Sequence, residues 1–244
     1  MHTYAIGDIH GHLDLLQHKH GLIAKDMAQH GPAPTVHIGD LVDRGPDSRG
    51  VIQYLRQGIA AGRDWVVIKG NHDRMFAHFL NDPNWHDPGL RPDMAYLHPK
   101  IGGAFTLASY GVRRAADRRL APVHAEAIAA VPAADRAFLP ALPTSYQRDQ
   151  AIFVHAGILP GFPLARQDET DLVWIRGEFL TDTRDHGALI VHGHTAIDHA
   201  THYGNRLNLD SGAAYGGPLS AVVIEGRDAW LLTEAGREPL LPQR

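Results

Sequence analysis

Short apolar runs alternate with longer amphipathic stretches through the first eighty residues of the chain. Three of the runs have the length of buried strands, at 3–8, 35–39 and 65–69. In the stretch after each run, apolar residues recur at helical spacing, from Gly11 to about Ala28, after Pro46, and from Asn71. This repeated strand–helix order predicts a largely parallel sheet whose strands are joined by right-handed crossovers.

The segment 81–150 has a different pattern. Four prolines interrupt its first third, and short helical stretches follow at 101–109, 122–130 and 133–140. Little of this segment predicts strand, and it would be small to fold alone. We therefore predict one domain over 1–244, in which 81–150 is a helical insertion.

Strand-length apolar runs return after residue 150, at 151–155, 188–192, 205–210, 219–225 and 228–233. Gly226 and Arg227 separate the last two runs and predict a hairpin turn. The second half of the chain should therefore contribute antiparallel strands. The tail from Glu238 to Arg244 is predicted to be frayed.

Five of the apolar runs end in Asp, Asn or His beside a glycine. These ends read GDIHG at 7–11, GDLVDRG at 39–45, GNHD at 70–73, HAG at 155–157 and HGHT at 192–195. Ligands bind outside the carboxyl ends of strands in open α/β sheets, so the five ends could converge on one site. Their oxygen and imidazole donors, without sulfur, suit Mn²⁺, Fe or Zn²⁺. These ends supply six candidate ligands, namely Asp8, His10, Asp40, Asn71, His155 and His194. Six ligands exceed what one catalytic ion normally takes from protein, so two ions are favoured.

Structural interpretations of the same residues remain open at this point. Asp8, Asp40 and Asn71 are residue types that favour turns and helix N-caps, and Asp43 could simply pair with Arg44. The recurrence of the pattern favours a shared site. Other histidines lie in polar or irregular context and are predicted to be solvated, namely His18, His20, His30, His78, His86 and His124.

Composition limits the partners and the compartment. The 244 residues carry a formal charge of −4, so no bulk basic field is present to attract nucleic acid or an anionic membrane. The chain has no cysteine, which excludes disulfides and thiolate metal sites and fits a reducing cytoplasm. The first residues lack the features of a signal peptide, and no apolar run reaches the roughly 18 residues of a membrane span.

The three motifs GDIHG, GDLVDRG and GNHD, spaced about thirty residues apart, resemble the signatures of the calcineurin-like metallophosphoesterases. GDLVDRG narrows the resemblance to the phosphoprotein phosphatase branch, which includes bacterial serine/threonine protein phosphatases. HAG and HGHT supply the two later histidines, and LVWIRGEFL at 172–180 resembles the segment that carries a second phosphate-binding arginine. The resemblance covers nearly the whole chain. It implies an α/β fold of two packed mixed β-sheets flanked by helices in four layers, with 81–150 as a cap over the site.

The resemblance also implies two divalent metal ions, Mn²⁺ in the first place, with Fe or Zn²⁺ as alternatives. The implied ligands are Asp8, His10 and Asp40 for one ion, and Asp40, Asn71, His155 and His194 for the other. Asp40 would bridge the two ions. A metal-bridging hydroxide would attack the phosphorus atom directly.

The remaining roles follow from the same resemblance. His72 would protonate the leaving-group oxygen, while Asp43 would orient its imidazole and favour the charged form. Arg44 and Arg176, together with Asn71, would bind the phosphoryl oxygens. The structural alternatives are a helix cap for His72 and a surface salt bridge for Arg176.

The implied activity is hydrolysis of phosphate monoesters, most simply phosphoserine or phosphothreonine in a protein or peptide, with small phosphoesters as further substrates. The alternative is a dinucleoside tetraphosphate pyrophosphohydrolase, because bacterial enzymes of that type share the architecture. Their first motif often carries Gln where this chain has His10, which favours the protein phosphatase. Ala196, where many related phosphodiesterases carry a histidine, supports the same branch. A non-catalytic metal-binding scaffold is disfavoured because every implied ligand is present.

Overall fold

The computed structural model describes residues 1–243 and arranges eleven strands in two sheets. The strands are β1 (His2–Ile6), β2 (Thr35–His37), β3 (Trp65–Val67), β4 (Ser145–Arg148), β5 (Ala151–Val154), β6 (Leu189–His192), β7 (Thr201–His202), β8 (Arg206–Asn208), β9 (Ala221–Glu225), β10 (Asp228–Thr233) and β11 (Gly236–Pro239). The α-helices are α1 (Leu13–His30), α2 (Ser48–Ala60), α3 (Asn71–Asn81), α4 (Gly103–Ser109), α5 (Leu120–Ala130), α6 (Ala133–Phe138), α7 (Glu169–Trp174) and α8 (Gly177–Leu180).

Both sheets are mixed. The first has the order β11–β10–β9–β1–β2–β3, and β1, β2 and β3 are parallel, as the repeated strand–helix pattern predicts. Its other strands pair antiparallel. The second has the order β4–β5–β6–β8–β7, with parallel β5, β6 and β8 between two antiparallel edge strands.

Side-chain alternation along the strands builds the layers. In β1, Ala5 faces a core shared by the two sheets, while Tyr4 and Ile6 pack with the helices on the outer face. In β5, Phe153 joins the shared core and Val154 joins the outer core of the second sheet. The predicted fold of two packed mixed sheets flanked by helices is therefore confirmed.

Two predictions about the limits of elements are wrong. The segment 81–150 is not helical throughout, because β4 at its end pairs antiparallel with β5 and belongs to the second sheet. Residues Glu238 and Pro239 are not frayed but pair with β10. Arg237 in the same strand is anchored to Asp26 of α1 by a hydrogen-bonded ion pair, with Nη2 and Oδ2 2.7 Å apart. The last two residues of a short chain-end strand carry too weak a pattern to be recognised alone.

The prediction that His20 is solvated is also wrong. Its ring packs on Trp65, with centroids 4.2 Å apart, and its Nε2 lies 2.8 Å from Nε2 of His37. His20 Nδ1 is hydrogen-bonded to the Tyr54 hydroxyl at 2.9 Å. Burial lowers the pKa of His20 to about 2 and that of His37 to about 4. This region therefore holds a neutral histidine pair rather than surface charges.

We expect the free energy of unfolding to decrease as the pH falls from about 6.5 to 4. His37 resists protonation in the folded chain, whereas an unfolded histidine titrates near ~6.5, so the unfolded state binds the extra proton in this window. At pH 4, His37 alone should lower the free energy of unfolding by about 3 kcal/mol relative to its value above pH 6.5. Urea unfolding at several pH values should show a shallower pH dependence for His37→Gln than for the wild type, and identical slopes would contradict the prediction.

No helix within residues 1–243 combines the length and apolar character needed to cross a membrane.

Candidate functional site

The six predicted metal ligands lie together where the carboxyl ends of strands from both sheets meet. Asp8 and His10 follow β1, Asp40 follows β2, Asn71 follows β3, His155 follows β5 and His194 follows β6. All six are buried, and the most exposed of them, His194, is 9% exposed. The convergence of the strand ends is therefore a feature of the structure.

Asp40 lies at the centre of the cluster. Its Oδ2 is 3.3 Å from Nε2 of His10, and its Oδ1 is 3.4 Å from Nε2 of His155. Two groups of donor atoms, each compact enough to hold one ion, share this carboxylate: one adds His10 and His72, and the other adds His155 and His194. The position of Asp40 between them suits a bridging ligand.

Backbone carbonyls fix the orientation of two imidazoles. Nδ1 of His10 donates to the Val42 carbonyl at 2.8 Å, and Nδ1 of His155 donates to the Ile38 carbonyl at 2.9 Å. With Nδ1 donating, the Nε2 atom of each ring is directed towards Asp40. Histidines that bind metals are held by this kind of hydrogen bond.

Asn71 joins the second group through its amide oxygen. Oδ1 lies 2.9 Å from Nε2 of His155 and 2.9 Å from Nδ1 of His194. No hydrogen lies between the two atoms of the first contact, because His155 carries its hydrogen on Nδ1, which donates to the carbonyl of Ile38. Such a set of converging acceptors fits a cation.

The buried acids give a second indication of a cation. Oδ2 of Asp8 accepts from the His194 backbone N–H at 3.0 Å, but its Oδ1 has no hydrogen-bond partner within residues 1–243. Burial, followed by repulsion from Asp210 and Asp40, raises the pKa of Asp8 well above its usual value. Burial also raises the pKa of Asp210. Divalent cations would neutralise these carboxylates, so the residues present fit the metal site that the resemblance implies.

Asp210 is a residue that the sequence predictions missed. It follows β8, a sixth strand that ends beside the cluster, and it is only 6% exposed. The segment LNLDSG contains the same signal as the other ends, an apolar run that stops at an acid near a glycine. Counting all the strand ends of this type would have found it.

Backbone conformation concentrates strain in this cluster. Among residues 1–243, seven residues other than glycine have positive φ, and five of these belong to the predicted site: His10, Asp40, Asp43, Arg44 and His194. The left-handed region costs roughly 1–2 kcal/mol for such residues, and strain of this kind is typical of functional sites. The turns re-aim each side chain towards the cluster as the strand ends.

Two glycines allow the strand ends to approach each other closely. A Cβ atom at Gly70 would lie 2.2 Å from Oδ1 of Asp40, and one at Gly193 would lie 1.9 Å from Oδ1 of Asp8. Any side chain at these positions would displace a carboxylate. The glycines of GNHD and HGHT are thus required by packing around the acids.

His72 and Asp43 form a hydrogen-bonded pair beside Asp40. Nδ1 of His72 is 2.7 Å from Oδ2 of Asp43, whose Oδ1 accepts from the hydroxyls of Tyr96 at 2.8 Å and Thr106 at 2.7 Å. His72 is not a helix cap, because α3 is preceded by Gly70 and the N–H of Gly70 is bound by Asp73.

The expected increase in the basicity of His72 is not realised. Burial lowers its pKa, and the charge of Arg44 acts in the same direction. Asp40 and Asp43 oppose this shift without overcoming it. Asp43 does favour the charged imidazole, as predicted, but the cost of removing that charge from water is larger.

Arg44 and Arg176 line one cavity of about 290 Å³ together with Asp40, Asn71 and His194. Arg44 does not pair with Asp43; its Nη1 lies 2.8 Å from Nε2 of His10, and its guanidinium is 5.2 Å from the ring of Tyr215. Arg176 lies 5.8 Å from the ring of Trp174. In the described part of the chain Arg176 forms no salt bridge, so the alternative role of a surface salt-bridge residue does not apply.

The first part of the insertion forms one wall of this cavity. Leu90, Arg91, Met94, Lys100 and Ile101 line it. The wall is attached to α3 by a two-pronged ion pair in which Nε and Nη2 of Arg74 donate to Asp87 at 2.9 and 2.7 Å. These two residues are buried, so the wall is held in place by an interaction that water screens little.

Comparison with known proteins agrees with this geometry. Residues 1–223 match the family model described as calcineurin-like phosphoesterase. Serine/threonine-protein phosphatase 1 of Salmonella typhimurium is 36% identical over 75 residues, which cover 30% of this chain and only 31% of that protein. The asymmetrical bis(5'-nucleosyl)-tetraphosphatase PrpE of Oceanobacillus iheyensis is 26% identical over 260 residues, covering 98% of this chain and 94% of that protein.

A crystal structure described as a candidate diadenosine tetraphosphatase has the same fold, with a TM-score of 0.64 and 22% identity over 99% of this chain and 95% of that one. The partial likeness to serine/threonine protein phosphatases supports the phosphoprotein phosphatase branch. The protein belongs to the calcineurin-like phosphoesterase family.

Proposed function

We propose that the protein is a phosphomonoesterase dependent on two divalent metal ions, and that it acts on phosphoserine or phosphothreonine in proteins. The observation that carries this proposal is the carboxylate of Asp40, which lies between His10 on one side and His155 on the other. Two arginines and His72 face the same cavity. Cysteine is absent from the chain, and we propose the reducing cytoplasm as its compartment.

The proposed ligands are Asp8, His10 and Asp40 for the first ion, and Asp40, Asn71, His155 and His194 for the second. Two bound divalent ions, with Mn²⁺ as the proposed metal, supply a water nucleophile of lowered pKa and offset charge on the phosphoryl group. The chain itself holds that group: Arg44 and Arg176 donate to its oxygens, and a planar guanidinium suits this task better than an ammonium group.

His72 is proposed to give its proton to the departing oxygen of the substrate. Its Nδ1 is bound to Asp43, so Nε2 is the nitrogen left to act on the leaving group. Asp43 cannot rotate freely, because hydroxyls from Tyr96 and Thr106 hold its second oxygen. The pair therefore keeps one imidazole orientation during turnover.

Replacing Arg44 by Ala should weaken catalysis and strengthen metal binding at the same time. Loss of a charged donor to the phosphoryl group should lower kcat/KM by about 10- to 100-fold, with higher KM and lower kcat. In contrast, Nη1 of Arg44 occupies the lone pair of His10 Nε2, so its removal frees a ligand atom and removes a repelling charge. Steady-state kinetics and Mn²⁺ titration should show these opposite changes, and unchanged kinetics would exclude Arg44 from the phosphate site.

A second candidate function is hydrolysis of dinucleoside tetraphosphates. It is favoured by the nearly full-length likeness to PrpE, whereas the likeness to protein phosphatase 1 is partial. Arg91 and Lys100 add cationic side chains to the cavity wall, which suits a substrate with more than one phosphate. The architecture itself is shared by both candidates.

Elemental analysis and a substrate panel test the two candidates together. The purified protein should contain two divalent ions per chain. Turnover is then compared for a phosphoserine peptide, diadenosine tetraphosphate, nitrophenyl phosphate and bis-nitrophenyl phosphate. A higher kcat/KM for the phosphopeptide supports the protein phosphatase, and a higher value for diadenosine tetraphosphate replaces it with the second candidate. Two-metal protein without turnover of any of the four would contradict both.

A further inference from the structure

A second cavity, larger than the catalytic one, lies elsewhere in the molecule. It has a volume of about 480 Å³ and lies between α1, α2 and the first residues of β2 and β3. It shares no lining residue with the catalytic cavity of about 290 Å³. The catalytic side chains follow the carboxyl ends of the parallel strands, whereas Thr35 and Trp65 begin β2 and β3. The two cavities are therefore at opposite ends of these strands.

The interior of this second cavity combines apolar and aromatic surface with a few polar groups. Ile23 and Met27 of α1 and the rings of Tyr54 and Trp65 form its walls. Thr35 lies among the lining residues, and no atom in residues 1–243 accepts from or donates to its buried Oγ1. Burial of an unpaired hydroxyl is costly, and a bound molecule could supply the missing partner.

The rim of the second cavity carries amide groups and one positive charge. Gln17, Gln57 and Arg63 are exposed, and within the described chain none of their side chains forms a hydrogen bond or an ion pair. The lining residues that the structure describes include neither Asp nor Glu. The opening therefore favours an anion and offers donors and acceptors for the edge of a heterocycle.

Gly21 keeps part of this space open. It occupies the interior of α1, where glycine destabilises a helix relative to alanine. Within the described residues no atom lies within 4 Å of the position its Cβ would take. Gly58, across the cavity, has a packing reason, since its Cβ would lie 1.9 Å from Trp65. Gly21 is exposed at the opening of the cavity, so a large side chain there would obstruct the entrance.

We propose that this cavity is a second, non-catalytic binding site for a nucleoside monophosphate. Its volume is in the range of small-molecule sites, and its aromatic walls suit a flat base. The amides of Gln17 and Gln57 match the hydrogen-bonding edge of a purine, as glutamine does with adenine elsewhere. Arg63 binds the phosphate. The site does not depend on which phosphoester the catalytic cavity hydrolyses.

The test is calorimetric titration of the full chain with AMP and with adenosine, in two variants of Gly21. Gly21→Ala improves the helix and adds little volume, so it should bind AMP within about twofold of the wild type. Gly21→Leu improves the helix and fills the cavity, so it should lose at least about tenfold in affinity. Nitrophenyl phosphate turnover should be the same in both, which shows that the catalytic cavity is intact.

A third variant examines the charge. Arg63→Gln should weaken AMP by about tenfold and leave adenosine unchanged, because only AMP carries the phosphate. Equal affinity of Gly21→Ala and Gly21→Leu for AMP would place the binding elsewhere and overturn the proposal. Absence of AMP binding to the wild type at millimolar concentration would overturn it as well. Neither result affects the proposed phosphatase activity, which the substrate panel tests separately.

Discussion

Asp40→Asn should abolish nearly all turnover, by a factor on the order of 10³ or more, and should release at least one metal ion. The amide has the shape of the carboxylate and can still accept from the backbone N–H of His72, which is 3.0 Å from Oδ1 in the wild type. It lacks the negative charge that two cations would share. The change therefore removes the electrostatic contribution of Asp40 and preserves the packing around it.

Thermal unfolding separates the loss of metal from damage to the fold. Burial opposes the charge of Asp40, but the nearby His155, His72 and His10 outweigh it and hold the pKa of this carboxyl well below its usual value. Without metal, the variant should therefore be no more stable than the wild type, because Asn lacks the charge that these histidines stabilise. Added Mn²⁺ should raise the Tm of the wild type more than that of the variant, since an ion stabilises only the folded state that binds it. Asp14→Asn, on the exposed face of α1, is the matched control.

Full metal content and activity in Asp40→Asn would contradict the bridging assignment. Loss of activity with two ions retained would indicate a role for Asp40 in positioning His72 alone. Loss of one ion, with the other bound normally, would identify which of the two histidine groups depends on the carboxylate.

The sequence predicts which side chains gather at the strand ends better than it predicts the limits of the elements around them. Residues such as Asp8, Asn71 and His155 could be found because each stands directly after an apolar run, next to a glycine. Parallel strands then bring their ends together without any further information. The positive φ values of His10 and Asp40 belong to the same turns, but the residue types at these positions do not predict them.

Contacts that come from distant segments could not be predicted in this way. Thr106 and Tyr96 hold Asp43 from the insertion, more than fifty positions along the chain, and neither stands beside a motif. The cavity between α1 and α2 is also invisible in the sequence, because its lining alternates with ordinary core positions. His20 illustrates the difficulty: its polar neighbours along the chain predict solvent, whereas its neighbours in space are Tyr54, His37 and Trp65.

The location of the strain explains why the motifs tolerate little change. The left-handed turns at His10, Asp40 and His194 cost energy that the packed sheets on either side must offset. A more relaxed turn would direct the same side chains away from the cluster. The fold thus stabilises a ligand geometry that the local sequence does not prefer.

His72→Asn should reduce turnover of alkyl phosphates far more than turnover of nitrophenyl phosphate. General acid catalysis contributes about 10²- to 10⁴-fold when the departing oxygen needs a proton. Nitrophenolate leaves readily without one, so its loss should be much smaller. The measurement is kcat for a phosphoserine peptide and for nitrophenyl phosphate in the variant, with the exposed His86→Asn as the matched control.

Metal content decides between the two roles that the geometry allows His72. It is paired with Asp43 at 2.7 Å, as an acid would be, but its other neighbours, His10 and Asp40, could hold an ion with it. If His72 is the acid, the His72→Asn variant should keep both ions and lose more activity the more basic the leaving group is. If His72 is a metal ligand, the variant should lose an ion, and turnover of all substrates should fall equally. Asp43→Asn then distinguishes the same roles independently: it should reproduce the leaving-group dependence in weaker form, because the imidazole remains but its orientation is no longer fixed.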